Sequence, residues 1–343
     1  MSTNHQVLLE VDGLRKYFPI QKGFLRRTVA HIKAVDNVSL QIQRGEVLGV
    51  VGESGCGKTT LGRCLVRVYE PTGGQAILHT DSQDLTLDDL NSEQMRLFRR
   101  SVQMIFQDPF ASLNPRMNVL ETVGEPLRVN GIAKGRELEE RVSQVIQQVG
   151  LRVEHLRRYP HSFSGGQRQR IGIARALVVH PKLVIADEPV SALDVSIQAQ
   201  ILNLLKDLQE RQELTYLFVS HNMAVIRYIS DRIAVMYAGK LVELGPKQTL
   251  LRHPKHPYTE LLLAAVPRTI DRQQRIITAG EPPDLARLPS GCVFRTRCKY
   301  AQARCAEEEP QLQELESGHF VSCHFAADLS LGGVVPRVQS FAA

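Results

Sequence analysis

Apolar positions early in the chain recur at strand spacing. Val7 to Val11 is a short apolar run, and Val38, Leu40 and Ile42 alternate with polar neighbours, the period of a half-buried strand. Val47-Leu48-Gly49-Val50-Val51 reads as an apolar strand, and a helix-like run starts near Thr60. Pro71-Thr72-Gly73-Gly74 signals a turn before a short strand at Ala76–Leu78. After a strand at Val102–Phe106 the period changes. From about Val119 to Gly150, Leu138, Val142, Val145, Ile146 and Val149 fall at helical spacing, which predicts a helical insertion. Strand and helix then alternate: Leu183–Ala186, Ile197–Leu208, Tyr216–Val219, Ile233–Met236. That order predicts a parallel-rich sheet with helices on its faces. The pattern fades into a linker around Asp271, and a cysteine-rich tail begins near Gly291.

Composition narrows the classes. The chain has 343 residues, 43% apolar and 23% charged, ordinary values for a protein with a sizeable core. No apolar stretch approaches the ~18–20 residues that span a bilayer, so no transmembrane segment is expected. Met1-Ser2-Thr3-Asn4-His5-Gln6 carries neither a basic nor an apolar leader region, which points to a cytoplasmic product. The net charge of +6 is spread in short clusters such as Arg26-Arg27 and Arg99-Arg100, without an aromatic-interleaved basic stripe. It reads as a solvated surface, and no nucleic-acid partner is expected.

The chemistry starts at Gly52-Glu53-Ser54-Gly55-Cys56-Gly57-Lys58-Thr59, which fits GxxxxGK[ST] at every fixed position. It lies between an apolar strand and a helix start. There, glycines let backbone N–H groups curl around a phosphate and the helix dipole adds positive potential. Lys58 would reach the β- and γ-phosphates, and the Thr59 hydroxyl would ligate Mg²⁺. A second element, Leu183-Val184-Ile185-Ala186-Asp187-Glu188-Pro189, ends an apolar strand in two carboxylates at a sheet edge where ligands bind. Asp187 would hold Mg²⁺, and Glu188 would polarise the attacking water. A third element is Phe163-Ser164-Gly165-Gly166-Gln167 before a helix-like run. Ser164 is a plausible N-cap that leaves helix N–H groups open to an anion. Two anion sites this far apart suggest two nucleotide-contacting surfaces.

Ser164-Gly165-Gly166-Gln167 resembles the signature motif of ABC-type ATPases, and further motifs of that family follow in order. Gln107 resembles its Q-loop glutamine, an Mg²⁺ ligand. Ser191-Ala192-Leu193-Asp194 resembles the D-loop, and His221 the switch histidine that contacts the γ-phosphate. Phe18, or its neighbour Tyr17, is similar to the aromatic that stacks on adenine. Thr60 follows the loop on the nucleotide side. Phe163 departs from the family's usual Leu. The resemblance spans roughly residues 7–250. It implies an α/β P-loop NTPase of ABC type, with a mixed sheet core, an antiparallel β subdomain and a helical signature subdomain over about 108–178. It also implies ATP and Mg²⁺ as ligands. Glu188, His221 and Lys58 become the catalytic set. The remaining loop residues (Gly52, Glu53, Ser54, Gly55, Cys56 and Gly57) join the nucleotide site with Ser164, Gly165, Gly166, Gln167 and Asp194.

Beyond residue 250, His253-Pro254-Lys255-His256-Pro257-Tyr258-Thr259-Glu260-Leu261-Leu262-Leu263-Ala264-Ala265-Val266-Pro267 resembles the C-terminal segment of oligopeptide and dipeptide importer ATPases, closest to the dipeptide type. Tyr258–Val266 reads equally as a plain capping helix. The resemblance implies an extension over 251–330. It further implies a second, non-identical ATPase subunit paired head-to-tail, two transmembrane permease subunits and an extracytoplasmic peptide-binding protein. The chain would then sit peripherally on the cytoplasmic face of the inner membrane and energise dipeptide or short-oligopeptide uptake. An importer of nickel or glutathione shares much of the motif series, and a non-transport ABC ATPase is the more distant alternative.

Cys292, Cys298, Cys305 and Cys323 form the tail's cysteine set. In a reducing compartment such clustering argues for metal over disulfides. Four thiolates can hold a [4Fe–4S] cluster or Zn²⁺. The spacing has no CxxC pair and resembles the cluster-binding tail of dipeptide-type ATPases, while free thiols remain the third alternative.

Overall fold

A computed structural model describes residues 6–23, 27–265 and 283–333. The expected linker around Asp271 and the end of the Tyr258–Val266 segment lie outside them, as do Met1–His5 and Arg26.

Strand β1 (Val7–Lys22) pairs antiparallel with β2 (Arg27–Gln43). Strand β3 (Val47–Val51) delivers the phosphate loop to helix α1 (Lys58–Leu65). Strands β4 (Gly73–His79) and β5 (Asp84–Thr86) complete a four-stranded antiparallel sheet in the order β2-β1-β4-β5. Helix α2 (Ser92–Ser101), absent from the hydropathy reading, begins at an Asn91 capping box and leads into β6 (Val102–Ile105).

The insertion is two helices, α3 (Val119–Val129) and α4 (Gly135–Gln148), where the periodicity predicts one continuous stretch. The break falls at Asn130-Gly131, where Gly131 takes φ +66°, a left-handed backbone that costs glycine little and stops a helix. Helix α5 (Gly165–Leu177) follows, then β7 (Leu183–Asp187), α6 (Val195–Gln212), β8 (Thr215–Ser220), α7 (Met223–Ile229), β9 (Arg232–Tyr237) and β10 (Lys240–Pro246). Helices α8 (Lys247–Arg252) and α9 (Pro257–Ala264) lead to the tail, which contains α10 (Arg304–Glu307), β11 (Gln313–Glu316) and β12 (His319–Val321).

Among the described residues the larger sheet has eight strands in the order β11-β12-β10-β9-β3-β8-β7-β6. The run from β9 through β3, β8 and β7 to β6 is parallel, and β10, β12 and β11 add antiparallel strands. The boundary expected at residue 250 falls inside α8, and a strand from beyond it extends the same sheet. A fully buried contact fixes this edge. His319 Nε2 lies 2.8 Å from Glu243 Oε1, and Glu243 also accepts the backbone N–H groups of Lys255 and His256. Burying such a carboxylate is tolerable only because its lone pairs are bonded.

Period-2 alternation divides the central strands between two cores. Val184 and Ala186, with Tyr216 and Phe218, pack under the helices; Leu183 and Ile185, with Leu217 and Val219, pack against the antiparallel sheet and α1. A strand buried on both faces reads as a continuous apolar run, as β7 and β8 do. Each such side chain removed from water contributes roughly 1.5–3 kcal/mol. The stack holds the C-terminal ends of β3, β7 and β8 together, and the candidate site lies at that edge. Among the described residues no helix is long and apolar enough to cross a membrane.

Candidate nucleotide site

The phosphate loop owes its path to glycine at positions where nothing larger fits. A Cβ at Gly52 would stand 2.1 Å from Met236 O. At Gly57, with φ +106°, it would stand 1.9 Å from Ala34 O. The loop is tied down by the Gly239 N–H, which donates to Cys56 O at 2.9 Å. Lys58 is buried and donates to Gly52 O and Glu53 O, each at 2.8 Å. Its ammonium is thus aimed across the cradle by its own loop. Cys56 is buried beside it, and that burial raises the thiol above its ordinary range and makes it a poor nucleophile.

The loop opens onto a cavity of about 680 Å³ lined by Phe18, Ser54, Gly55, Gly57, Lys58, Thr59, Thr60, Gln107, Glu188 and His221, with Ile32, Ala34, Ser191, Ala192 and Leu285. At its floor the Thr59 hydroxyl donates to Asp187 Oδ1 at 2.9 Å. Burial raises the Asp187 carboxyl above the usual range, the Thr59 bond opposing it. A buried carboxylate beside a hydroxyl, with its charged form penalised, is a donor set that a hard cation would stabilise, so Thr59 and Asp187 fit Mg²⁺.

Glu188 is the meeting point of three motifs separated in the chain. Its Oε2 accepts from Gln107 Nε2 at 3.2 Å, and its Oε1 lies 3.1 Å from His221 Nδ1. Glu188 is one of the few non-glycine residues with positive φ (+46°), a conformation costing of order 1–3 kcal/mol. The surroundings impose it. The Glu188 N–H donates to Val219 O on β8, and Glu188 O accepts from both the N–H and the hydroxyl of Ser191. The strain turns the carboxylate off the end of β7 toward the phosphate loop.

Adjacent strand residues face opposite ways, so only one of Tyr17 and Phe18 can face the cavity. Phe18 lines it, braced edge-on by Tyr69 at 5.4 Å and by the Lys16 ammonium at 5.1 Å from its ring centre. The Tyr17 hydroxyl instead donates to Asp36, and burial together with that bond raises it to about 12.

The Ser164–Gln167 segment does not line this cavity. Ser164 is exposed and caps α5 in a reciprocal box, its Oγ accepting from Gln167 N–H and Gln167 Oε1 accepting from Ser164 N–H. Gly166 permits close approach of α6, since a Cβ there would lie 2.6 Å from Ile197 Cγ2. Phe163 is buried against His155, so the family's Leu position is filled by a larger apolar side chain. Asp194 caps α6, accepting from Ile197 N–H and Ser196 Oγ, and lies outside the cavity.

The tail cysteines converge. Cys292, Cys298, Cys305 and Cys323 line one cavity of about 20 Å³ beside His256 and Phe294. Burial, then the other thiols, push Cys292 and Cys323 up to about 11; burial likewise raises Cys298. The thiol donor set fits a thiolate-bound group whose positive charge would reverse that shift. Among the described residues, however, no three His, Cys, Asp or Glu side chains surround a single-ion position.

Sequence reasoning missed Ile32, Ala34 and Leu285 as cavity walls, because plain apolar residues carry no local chemical signal. It also missed two contacts from beyond residue 250. Arg297 forks onto the Glu53 carboxylate at 2.7 and 2.9 Å, and the Tyr258 hydroxyl accepts the Glu53 N–H at 2.8 Å.

Comparison with known proteins agrees with this geometry. The ABC transporter family model matches residues 35–191, and that for the oligopeptide/dipeptide transporter C-terminal region matches residues 242–305. The oligopeptide transport ATP-binding protein AppF of Bacillus subtilis is 50% identical over 94% of this chain and 98% of its own. The dipeptide transport ATP-binding protein DppF of Haemophilus influenzae is 46% identical over 92% of this chain and 96% of its own. Among solved structures, the dimeric ABC transporter cassette MJ0796 superposes with a TM-score of 0.61 at 28% identity, covering 70% of this chain and 99% of that one. The chain belongs to the ABC ATP-binding proteins of the oligopeptide/dipeptide transporter family.

Proposed function

We propose that this chain hydrolyses ATP as one of a pair of cassettes and so energises uptake of dipeptides or short oligopeptides through a membrane permease. One observation carries the paired reading. Gln107, Glu188, His221 and the phosphate loop meet in one cavity, whereas the exposed Ser164 cap lies off it. A chain with an ATP cradle and a separate, solvent-facing helix N-terminus carries one half of each of two sites. A relative solved as a dimer supports this.

In the cradle, loop N–H groups and Lys58 would take the β- and γ-phosphates, with Phe18 against the adenine. Thr59 and Asp187 would hold Mg²⁺, with Gln107 beside them; when bound it would supply charge neutralisation on the phosphate oxygens. Glu188 accepts the proton of the attacking water, and Gln107 and His221 orient its carboxylate. Catalysis is then positioning plus charge stabilisation. The partner's Ser164-type cap would close on the γ-phosphate, and closure and reopening form the two-state element a transporter can couple to. The partner cassette, two permease subunits, an extracytoplasmic binding protein and a seat on the cytoplasmic membrane face follow from this reading. So does the division into a cassette of 7–250, with its helical part at about 108–178, and an extension of 251–330.

For the tail we infer a thiolate-bound [4Fe–4S] cluster in preference to Zn²⁺. A single Zn²⁺ draws its donors to about 2.3 Å from one point, whereas a cluster spreads four thiolates over separate irons. Convergence of the four thiols on one cavity supports a thiolate-bound group, and their spacing without a CxxC pair favours the cluster. Iron, sulfide and zinc analysis with a visible spectrum after anaerobic purification tests it; a colourless, zinc-loaded protein refutes it. Transport itself is tested by co-purification with a permease and peptide-stimulated ATP turnover.

A further inference from the structure

Glu53 occupies an unspecified position of the phosphate loop, yet its main chain and carboxylate are held from three directions. Its carbonyl accepts from Lys58 Nζ, as the loop itself dictates. Its N–H donates to the Tyr258 hydroxyl at 2.8 Å, and both carboxylate oxygens accept from Arg297. The last two partners belong to the extension, Arg297 at a separation of 244 residues.

The extension holds them rigidly. The Tyr258 ring is buried against Tyr237 at 4.6 Å and Phe294 at 5.4 Å. Arg297 lies in a tight turn between Cys292 and Cys298, its N–H donating to Phe294 O at 3.0 Å. Its side chain is only 6% exposed. A bidentate guanidinium–carboxylate fork fixes direction as well as distance. It also neutralises an acid that would otherwise stand in a loop built for polyphosphate. The extension touches the cavity a second time, where Leu285 forms part of its wall and accepts the Lys33 N–H.

We propose that Arg297 and Tyr258 are positioning residues for the phosphate loop, so that the cysteine-rich extension completes the ATP site of its own chain. This rests on the reading of Gly52–Thr59 as the phosphate cradle. Neither residue lines the nucleotide cavity; they act through Glu53, and the turn carrying Arg297 makes ATP affinity depend on the integrity of the four-cysteine knot.

The test measures Mg-ATP affinity by titration calorimetry, and kcat and KM, on full-length protein carrying R297A, R297K, E53Q or the E53Q/R297A pair. R297A should weaken ATP binding about tenfold and raise KM in step, with kcat within about twofold, because ground-state positioning is lost. R297K should fall between R297A and the parent, since an ammonium cannot fork. E53Q cannot accept both arms of the fork and should weaken binding to a similar extent, and E53Q/R297A should lose little more than R297A alone, because both substitutions break the same contact. A merely structural dock predicts a lower melting temperature with unchanged ATP affinity, and independent roles predict losses that add in the double variant; either finding overturns the proposal. Should R297A fail to fold, unchanged ATP affinity in E53Q overturns it alone. K58A separates the two levels. It should abolish ATP binding, and if it binds like the parent, the cradle assignment itself is wrong.

Discussion

Replacing Glu188 by glutamine removes a charge from the centre of the site while changing almost nothing else. The side chain keeps its length, and the left-handed backbone at φ +46° is retained, so strain is not released as it would be in a glycine variant. Both carboxylate oxygens now face nitrogen, Gln107 Nε2 at 3.2 Å and His221 Nδ1 at 3.1 Å. An amide preserves one acceptor and turns the other into a donor, so at most one hydrogen bond is lost. That costs about 0.5–1.5 kcal/mol of stability. Loss of a general base costs about 10²–10⁴ in rate, or roughly 2.7–5.5 kcal/mol of barrier. The rate effect therefore exceeds the stability effect, and the variant should remain folded while turning over at least about a hundredfold more slowly. Lys58 and the loop N–H groups are untouched, so ATP affinity should stay within about threefold of the parent. The ATP-loaded variant should accumulate as a closed dimer on size exclusion, since opening follows hydrolysis. Phosphate release in a coupled assay measures turnover. A kcat within about fivefold of the parent would refute the assignment of Glu188 as base.

Other expectations follow from the same geometry. His319→Ala leaves the buried Glu243 without its ring partner and should cost about 3 kcal/mol, lowering the melting temperature by roughly 5–10 °C and speeding proteolysis beyond β10. An unchanged melt would mean that β12 does not hold the sheet edge. Serine at Cys292, Cys298, Cys305 or Cys323 should each lower bound iron and sulfide together. Full iron in any one of these variants would remove that residue from the ligand set.

Much of the cradle was legible because its signals are local. GxxxxGKT after an apolar strand states a loop, a charge and a hydroxyl in eight consecutive residues. Asp187 and Glu188 were legible because a strand buried on both faces, ending in acids, has few other readings. The convergence of Gln107, Glu188 and His221 was available only through the order of motifs, since spacing alone does not bring separate loops together. The split between α3 and α4 was readable in Asn130-Gly131, a helix-stop signal that the apolar periodicity masked. The docking of the extension was not readable. Arg297 looks like any arginine among cysteines, and its partner stands on the phosphate loop, 244 residues earlier. β12 is too short for its alternation to be recognised, and its place in the sheet is set by the buried Glu243–His319 contact.

We propose that this ATPase works in a pair and is stimulated by peptide delivered to a membrane permease. The direct measurement is ATP turnover of the chain co-purified with its permease, its partner cassette and the peptide-binding protein in lipid, with and without dipeptide. Dipeptide-loaded binding protein should stimulate turnover, and the stimulation should vanish in the Glu188→Gln variant. Turnover by the isolated chain that matches the assembly and ignores peptide would contradict it.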